Sequence, residues 1–369
     1  MSNKRKLFYK DLDFLKFLAL IPILMYICLY FLNSFKIGVI PHVTHAFSYI
    51  KIGCIEFFFF TSAFLLTSHG LREYKYNHSF SLRSFLLRRS LKLVPLTIPL
   101  ILFAFFIHPL IATYLGLTSV KIPSWSNGFL LAENFEVMST EQFIYIGTLW
   151  FSLIFMLYSV VIGFLLKFAK TKLNWIGIVF ILIGLSARVL HLLNETRFDF
   201  NPLSYAIPIG IGMILANYIR NEQRFRDYFK DTLFGWHLLY YLIGFSTLLF
   251  GYVYGRGTYF SLAIPLILGY CFSYTVMAQT FSKNSKLKFR NMKRLSKFGR
   301  MSYGLITYFA IICSILVVAM DSLEVNLEAF GNQLIFLSIS VILTFTIALL
   351  SYEKIEKPIS IFKREFKKI

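Results

Sequence analysis

Long apolar stretches constrain this chain more than any other feature of its sequence. A helix that crosses a bilayer core about 30 Å thick needs about 20 mostly apolar residues. A window of that length selects ten segments, at about 14–33, 50–68, 91–114, 143–166, 174–193, 203–219, 233–254, 258–280, 301–320 and 332–351. Because hydrocarbon offers no water to the backbone, such segments cross as helices. The sequence therefore predicts an all-α polytopic membrane bundle of about ten transmembrane helices, forming one domain over residues 1–369.

Composition supports the membrane assignment. The 369 residues are 57% hydrophobic and 15% charged, whereas a soluble domain has about 45–50% apolar and about 25% charged residues. The first segment follows a basic start, but its apolar run is long and has no small-residue cleavage site. It is therefore expected to be a retained first helix and not a removed signal peptide.

The formal net charge of +20 has two possible causes, nucleic-acid binding or membrane topology. With the N-terminus placed in the cytoplasm, 31 of the 38 Lys and Arg residues fall in connections on the cytoplasmic side. The positive-inside rule predicts this asymmetry for ten spans. We therefore expect a multi-pass protein of the plasma or inner membrane, with both termini cytoplasmic and with no nucleic-acid partner.

Metal and disulfide chemistry are not indicated by the cysteines. Cys28, Cys54, Cys271 and Cys313 all fall within or at the edge of apolar segments, without zinc-ligand spacing. They are expected to be small buried hydrophobic residues, and no metal site is predicted.

Ionisable residues inside apolar segments are costly and are candidates for function. Asp13 and Lys16 lie three residues apart in the first segment, where they can pair or reach towards water. Arg188 in the fifth segment would need a partner or a wet cavity. These residues mark positions where the bundle needs polar contacts.

Glu56 is the one acid of the second segment and lies near its start, in the stretch "CIEFFFFTSAFLLTS" at residues 54–68. Two interpretations are open for it. A carboxylate among phenylalanines can act as a general base, or it can pair with a neighbour and hold a helix end. We favour the functional interpretation, with His42 and His45 as further candidates for the proton transfer on the outer side.

A dense basic segment, "SFLLRRSLKLVPL", precedes the third apolar run. Arg88, Arg89 and Lys92 can anchor the helix at anionic headgroups. They can also bind a phosphate-bearing ligand, because guanidinium groups pair with phosphate through two hydrogen bonds. Arg72, in the connection that follows the second segment, is a further candidate for this ligand.

Five short motifs occur in order along the chain: "CIEFFFFTSAFL", "FLLRRSLKLVP", "LWFSLIFMLYSVV", "GRMSYGLITYF" and "SYEKIEKPIS". Their order over nearly the whole chain resembles the acyltransferase-3 family, whose members are membrane proteins of about ten helices that O-acylate sugars. The matching positions are Glu56, Phe58, Phe59, Ser62, Phe64, Leu65, Phe85, Arg88, Arg89, Lys92, Pro95, Leu149, Trp150, Phe151, Tyr158, Gly299, Arg300, Ser302, Tyr303, Ser351, Tyr352, Ile355, Glu356, Lys357 and Pro358.

The first helix departs from the family pattern. That pattern has an aspartate, matched by Asp13, then an arginine, and a histidine eleven residues after the arginine. Here Lys16 stands at the arginine and Ile27 at the histidine, and Phe309 replaces a later histidine. Because the first-helix histidine is the family's expected general base, no residue takes that role from the resemblance.

The resemblance implies a membrane-bound O-acyltransferase. The donor would be acetyl-CoA or another acyl-CoA, bound by Arg88, Arg89 and Lys92, and no permanently bound cofactor is expected. The acceptor would be a hydroxyl of a cell-envelope saccharide or lipid-linked glycan. The alternative is a degenerate, non-catalytic member that acts as a binding, accessory or transport protein in the bilayer, which the missing histidine favours.

Overall fold

The computed structural model describes residues 10–34, 41–114, 144–194, 201–221, 227–255, 257–282 and 293–359, and the regular elements within these ranges are helical. The α-helices are α1 (Lys10–Ser34), α2 (Pro41–Asn77), α3 (Leu82–Leu102), α4 (His108–Tyr114), α5 (Ile144–Phe168), α6 (Leu173–Leu193), α7 (Ala206–Asn221), α8 (Phe234–Ser246), α9 (Tyr252–Gly255), α10 (Phe260–Phe281), α11 (Lys293–Arg300), α12 (Ser302–Ser322) and α13 (Phe330–Ser351). Short π-helical turns lie at Phe103–Ile107, Thr247–Gly251 and Tyr352–Glu356, and 3₁₀ turns at Lys170–Lys172 and Pro202–Tyr205.

Nine helical segments in the described ranges are long and apolar enough to cross a membrane. They coincide with nine of the ten segments predicted from the sequence, and the all-α polytopic membrane class is confirmed. The second is longer than predicted, since the span runs from Val43 to Asn77 within α2. The predicted loop at 115–142 lies outside the described residues.

The third predicted segment, 91–114, is helical but not regular. It is divided between α3, the π turn Phe103–Ile107 and α4, and it is not among the nine spans. Pro95 and Pro99 lie inside α3. A proline supplies no backbone N–H and disturbs the helical ladder around it, and the π turn begins four residues after the second one. The two prolines and the π turn together make this segment less regular than the other predicted spans.

Small residues bring the backbones of α2, α6 and α7 together. A Cβ atom on Gly210 would lie 2.4 Å from the carbonyl oxygen of Gly177, and one on Gly212 would lie 2.6 Å from that of Phe60. Such close approach is typical of helix packing in membranes, where van der Waals contact replaces the hydrophobic drive. These contacts seat α7 against both neighbours and so fix the positions of the side chains between them.

The phenylalanine run of α2 forms part of the core. Phe58, Phe59 and Phe60 are each 1% exposed or less. The Phe59 ring stacks on Phe155 of α5 at a centroid distance of 4.5 Å and an interplanar angle of 9°, and it lies 4.8 Å from the ring of Tyr205. The run therefore faces several helices at once, and the four cysteines are buried in the same interior.

Candidate functional site

The basic segment begins α3 at one end of the bundle, which we call the basic end. Ser81 caps the helix, its hydroxyl accepting a hydrogen bond from the backbone N–H of Ser84. Phe85 is buried and anchors the first turn. One turn later, Arg89 and Lys92 are directed into the bundle, where their contacts with other helices define the candidate site.

Arg89 joins three helices. Its Nε donates to the Ser159 hydroxyl of α5 at 3.0 Å, and its Nη2 donates to the Tyr303 hydroxyl of α12 at 3.2 Å. The guanidinium carbon also lies 5.7 Å from the ring centroids of Phe155 and Tyr303. Lys92 places its ammonium 5.4 Å from the Tyr303 ring centroid. Tyr303 is thus the residue on which both cations converge.

The first helix brings further charges to the same place. Asp13 interacts electrostatically with Lys16, Lys92 and Arg300, and its carboxylate lies 3.8 Å from the Arg300 Nε. Lys16 interacts with Arg89 as well. We call Lys16, Arg89, Lys92 and Arg300 the cation cluster. Three of these cations interact with the Asp13 carboxylate and the fourth, Arg89, interacts with Lys16, so positive charge is in excess in this part of the bundle.

Residues of the motifs "CIEFFFFTSAFL", "GRMSYGLITYF" and "SYEKIEKPIS" also lie near Tyr303. Ser62 of α2 hydrogen-bonds the Tyr303 side chain, and Ser302 is buried beside it. A Cβ atom on Gly304 would lie 3.7 Å from Oε1 of Glu356, which places that carboxylate near the start of α12. Residues predicted from separate motifs therefore meet around Tyr303, although they are far apart in the sequence.

A glycine positions the α11 part of the cluster. A Cβ atom on Gly299 would lie 1.6 Å from the backbone oxygen of Asp13, so only glycine allows α11 to touch the α1 backbone there. Phe298 packs on Phe17 at 5.8 Å between ring centroids. These contacts hold Arg300 against the start of α1 and explain the glycine of the motif "GRMSY".

Of the four residues predicted to bind phosphate, Arg88 and Arg72 do not contact the cation cluster but have partners elsewhere. Arg88 pairs with Glu73 of α2 at 2.7 Å, with side chains that are 23% and 17% exposed. Arg72 lies over the ring of Tyr76 at 5.5 Å. The predicted set is therefore split: Arg89 and Lys92 belong to the cation cluster, whereas Arg88 and Arg72 contact the end of α2.

Glu56 lies in a second polar site, away from the cation cluster. Its carboxylate accepts a hydrogen bond from the Arg188 Nη2 of α6, and both side chains are almost fully buried, at 1% and 2% exposed. Arg188 also approaches the Ser204 carbonyl oxygen, with Nε and Nη2 both at 3.4 Å. Pairing is what a buried charge requires in a low-dielectric interior. The geometry matches the pairing interpretation of Glu56, and its role in proton transfer stays a prediction.

The two histidines predicted to assist Glu56 lie at the start of α2, at the end of the bundle opposite to the basic end. His45 is exposed, and its ring lies 6.4 Å from the ring of Tyr49. Residue 42 is helical, but its side chain lies outside the described set, as does that of Trp150. The structure does not place His45 beside Glu56, which comes eleven positions later in the same helix.

Sequence reasoning missed Ser159 and the buried His237. Ser159 follows the motif tyrosine Tyr158, and the one signal available was a hydroxyl in an apolar run. His237 contacts the hydroxyls of Ser282 and Tyr274 through its two ring nitrogens, at 2.9 and 3.1 Å. No group of three His, Cys, Asp or Glu side chains in the described ranges could hold a metal ion.

One comparison with known proteins identifies the family of the chain. The model of the acyltransferase-3 family, described as an acyltransferase domain, matches residues 9–353. No curated protein and no solved structure shows a significant match to the sequence.

Proposed function

Since this chain belongs to the acyltransferase-3 family of membrane acyltransferases, we propose that it transfers an acetyl group from acetyl-CoA to a hydroxyl of a cell-envelope saccharide or lipid-linked glycan. In this proposal the protein spans the plasma or inner membrane with both termini in the cytoplasm. The basic end then faces the cytoplasm, where acetyl-CoA is present, and the start of α2 faces the outside.

The cation cluster is the observation that carries the proposal. Lys16, Arg89 and Lys92 come from two helices and converge inside the bundle, whereas cations that only anchor a helix reach towards lipid headgroups. Coenzyme A carries several phosphate groups, and phosphate is the anion that guanidinium and ammonium groups bind best. An excess of inward-facing positive charge therefore suits a CoA thioester entering from the basic end.

Arg89 would bind a phosphate with part of its guanidinium group while Ser159 and Tyr303 hold the rest. Those two hydrogen bonds fix the direction of the guanidinium plane before any ligand arrives. A group that is already ordered loses less conformational entropy on binding. Lys92 adds a second charge over the same tyrosine ring, so donor binding depends on both cations.

The proposed reaction moves the acyl group from a thiolate leaving group to a hydroxyl nucleophile. With the coenzyme A phosphates at the cation cluster, the thioester would extend through the bundle towards the start of α2. There the acceptor hydroxyl oxygen forms a bond to the thioester carbonyl carbon, and the carbon–sulfur bond breaks. The hydroxyl proton passes to a base, and the coenzyme A thiolate leaves and takes up a proton. A base is needed because a neutral hydroxyl is a weak nucleophile.

We assign the base role to His45 and a positioning role to Glu56. His45 is exposed at the end of the bundle where the acceptor would bind. The Glu56 carboxylate is engaged by the buried Arg188 guanidinium, so it already takes part in the packing of α2 on α6. Glu56 would instead hold α2 against α6, and so keep the acceptor end of α2 in place.

A non-catalytic member of the family is the second candidate. The observations that favour it are Ile27, which stands where the family has its histidine, and the engagement of Glu56 in an ion pair. Such a protein would bind acyl-CoA or a glycan without turnover, which separates it experimentally from the enzyme.

The test uses the purified full chain in lipid nanodiscs, acetyl-CoA labelled in its acetyl group, and a panel of envelope glycans. Enzyme-dependent transfer of label to a glycan supports the proposal. Binding of acetyl-CoA or of a glycan without any transfer across the panel would support the non-catalytic alternative, and the absence of binding of either ligand would contradict both.

A further inference from the structure

A buried lysine lies at the end of the bundle opposite to the cation cluster. Lys51 of α2 is 8% exposed, and its ammonium lies 3.4 Å from the centroid of the Tyr26 ring of α1. The Tyr26 ring is 6.0 Å from that of Tyr30, at an interplanar angle of 47°. Two aromatic rings and one cation thus occupy neighbouring faces of α1 and α2.

This position is unusual for a lysine near a membrane surface. The flexible stem of lysine normally carries its ammonium outwards to water or headgroups, and desolvating the charge is costly. Here the ammonium is turned onto an aromatic face, where the ring quadrupole attracts it. The contact keeps a positive charge inside the bundle at a defined place.

The tyrosines add a surface that suits a saccharide. Tyr26 and Tyr30 are four residues apart, so they lie on the same face of α1, one turn above the other. Both are partly buried. A tyrosine joins an apolar ring to a polar hydroxyl, and these two features match the C–H faces and the hydroxyl groups of a sugar ring.

The position along α2 connects this group with the proposed reaction. Lys51 lies between the exposed His45, six residues before it, and the buried Glu56, five residues after it. It is therefore deeper in the bundle than the proposed base and shallower than the Glu56–Arg188 pair. A ligand held there would have its hydroxyls near the start of α2.

We propose that Lys51, Tyr26 and Tyr30 recognise the acceptor, and that the acceptor is a saccharide carrying a carboxylate group. This inference rests on the proposed acyltransferase function, whose acceptor it specifies. The Lys51 ammonium forms a charge-assisted hydrogen bond with the carboxylate, while the tyrosine rings pack on the sugar. A neutral sugar would keep the ring contacts but leave the cation without a counter-charge from the ligand.

The test compares two probes of equal size, p-nitrophenyl β-D-glucuronide and p-nitrophenyl β-D-glucoside, which differ in the carboxylate. Binding to the full chain in nanodiscs is measured by calorimetry, without acetyl-CoA. Wild-type protein is expected to bind the glucuronide about tenfold or more tightly than the glucoside, as one charge-assisted hydrogen bond allows. Lys51→Gln is expected to remove this preference and to leave the affinity for the glucoside unchanged.

Lys51→Arg is the matched variant, because arginine keeps the charge and can lie on the same ring. It is expected to retain the preference for the glucuronide. Equal wild-type affinity for both probes, no measurable binding of either probe, or an unchanged preference in Lys51→Gln would overturn the inference. A Lys51→Gln protein that loses the affinity for both probes would show that Lys51 only packs α1 against α2, and would overturn it as well.

The binding result is independent of the acyltransferase proposal. Preferred glucuronide binding without acetyl transfer would contradict the proposed enzyme and support the recognition site. Transfer of the acetyl group to both probes at equal rates, with equal affinities, would support the enzyme and overturn the recognition site.

Discussion

Replacing Glu56 by Gln is expected to destabilise the protein. The change removes the negative charge opposite Arg188, whose side chain is 2% exposed, and leaves a buried guanidinium without its carboxylate. Breaking a buried ion pair by removal of one partner costs about 3–5 kcal/mol. Because a typical protein is stable by only about 5–15 kcal/mol, a loss of this size lowers the amount of folded protein. A simple Glu56→Gln activity test is therefore confounded by folding.

A double variant separates stability from chemistry. Glu56→Leu with Arg188→Met removes both charges and keeps apolar volume, and such replacements are often neutral or stabilising. The Ser204 carbonyl loses two Arg188 contacts of 3.4 Å, which are long and therefore weak. The double variant is expected to regain most of the free energy of unfolding that either single variant loses.

The assay is denaturant unfolding in detergent micelles, followed by acetyl transfer in nanodiscs. We expect the two single variants to lose about 3–5 kcal/mol and the double variant to recover both stability and transfer. A stable double variant without transfer would refute the purely positioning role and show that the charged pair takes part in the reaction. Single variants with wild-type stability would refute the ion-pair argument itself.

Three further predictions concern the motifs and the proposed base. Gly299→Ala should displace α11 and weaken CoA binding, because its Cβ atom would meet the Asp13 backbone oxygen at 1.6 Å. Gly331→Ala is the control, since its Cβ atom would meet nothing within 4 Å. Equal CoA affinity in the two variants would contradict the packing argument. Phe59→Ala should lower the free energy of unfolding by about 3–5 kcal/mol, measured in micelles, and a loss below about 1 kcal/mol would show that the stack with Phe155 contributes little. His45→Asn should abolish acetyl transfer while acetyl-CoA affinity stays at the wild-type value; wild-type transfer rates would remove His45 from the mechanism.

The membrane fold could be predicted from the sequence because the bilayer imposes a simple local rule. A segment that crosses must be apolar and about 20 residues long, and nine such segments coincide with helices of the structure. The irregular third segment shows where this rule is incomplete. Pro95 and Pro99 were visible in the sequence, but a window of hydropathy does not show that a π turn follows them.

The contents of the candidate site could be predicted only in part. The basic residues of α3 were recognisable by their density, but the sequence does not show that Arg89 turns inwards to Ser159 and Tyr303 while Arg88 pairs with Glu73. These residues are adjacent, and the helix turns successive side chains in different directions. Whether a cation belongs to the site depends on the direction in which its side chain points relative to the neighbouring helices.

The partner of Glu56 shows the same limit over a longer distance. Glu56 and Arg188 were both identified as costly charges within apolar segments, yet they are 132 residues apart in the chain. No local pattern relates two such residues. Their contact arises from the packing of α2, α6 and α7, which depends on close approaches at glycines such as Gly210 and Gly212.

The most direct test of the central claim is the affinity of the purified protein for acetyl-CoA. Arg89→Gln with Lys92→Gln removes two charges of the cation cluster, and Arg83→Gln removes an exposed charge from the same helix as a control. We predict that the double variant stays folded and binds acetyl-CoA at least about a hundredfold more weakly, as the loss of two charge-assisted hydrogen bonds implies, while the control binds as the wild type does. An unchanged affinity in the double variant, or an equal loss in the control, would contradict the claim that the cation cluster is the donor site.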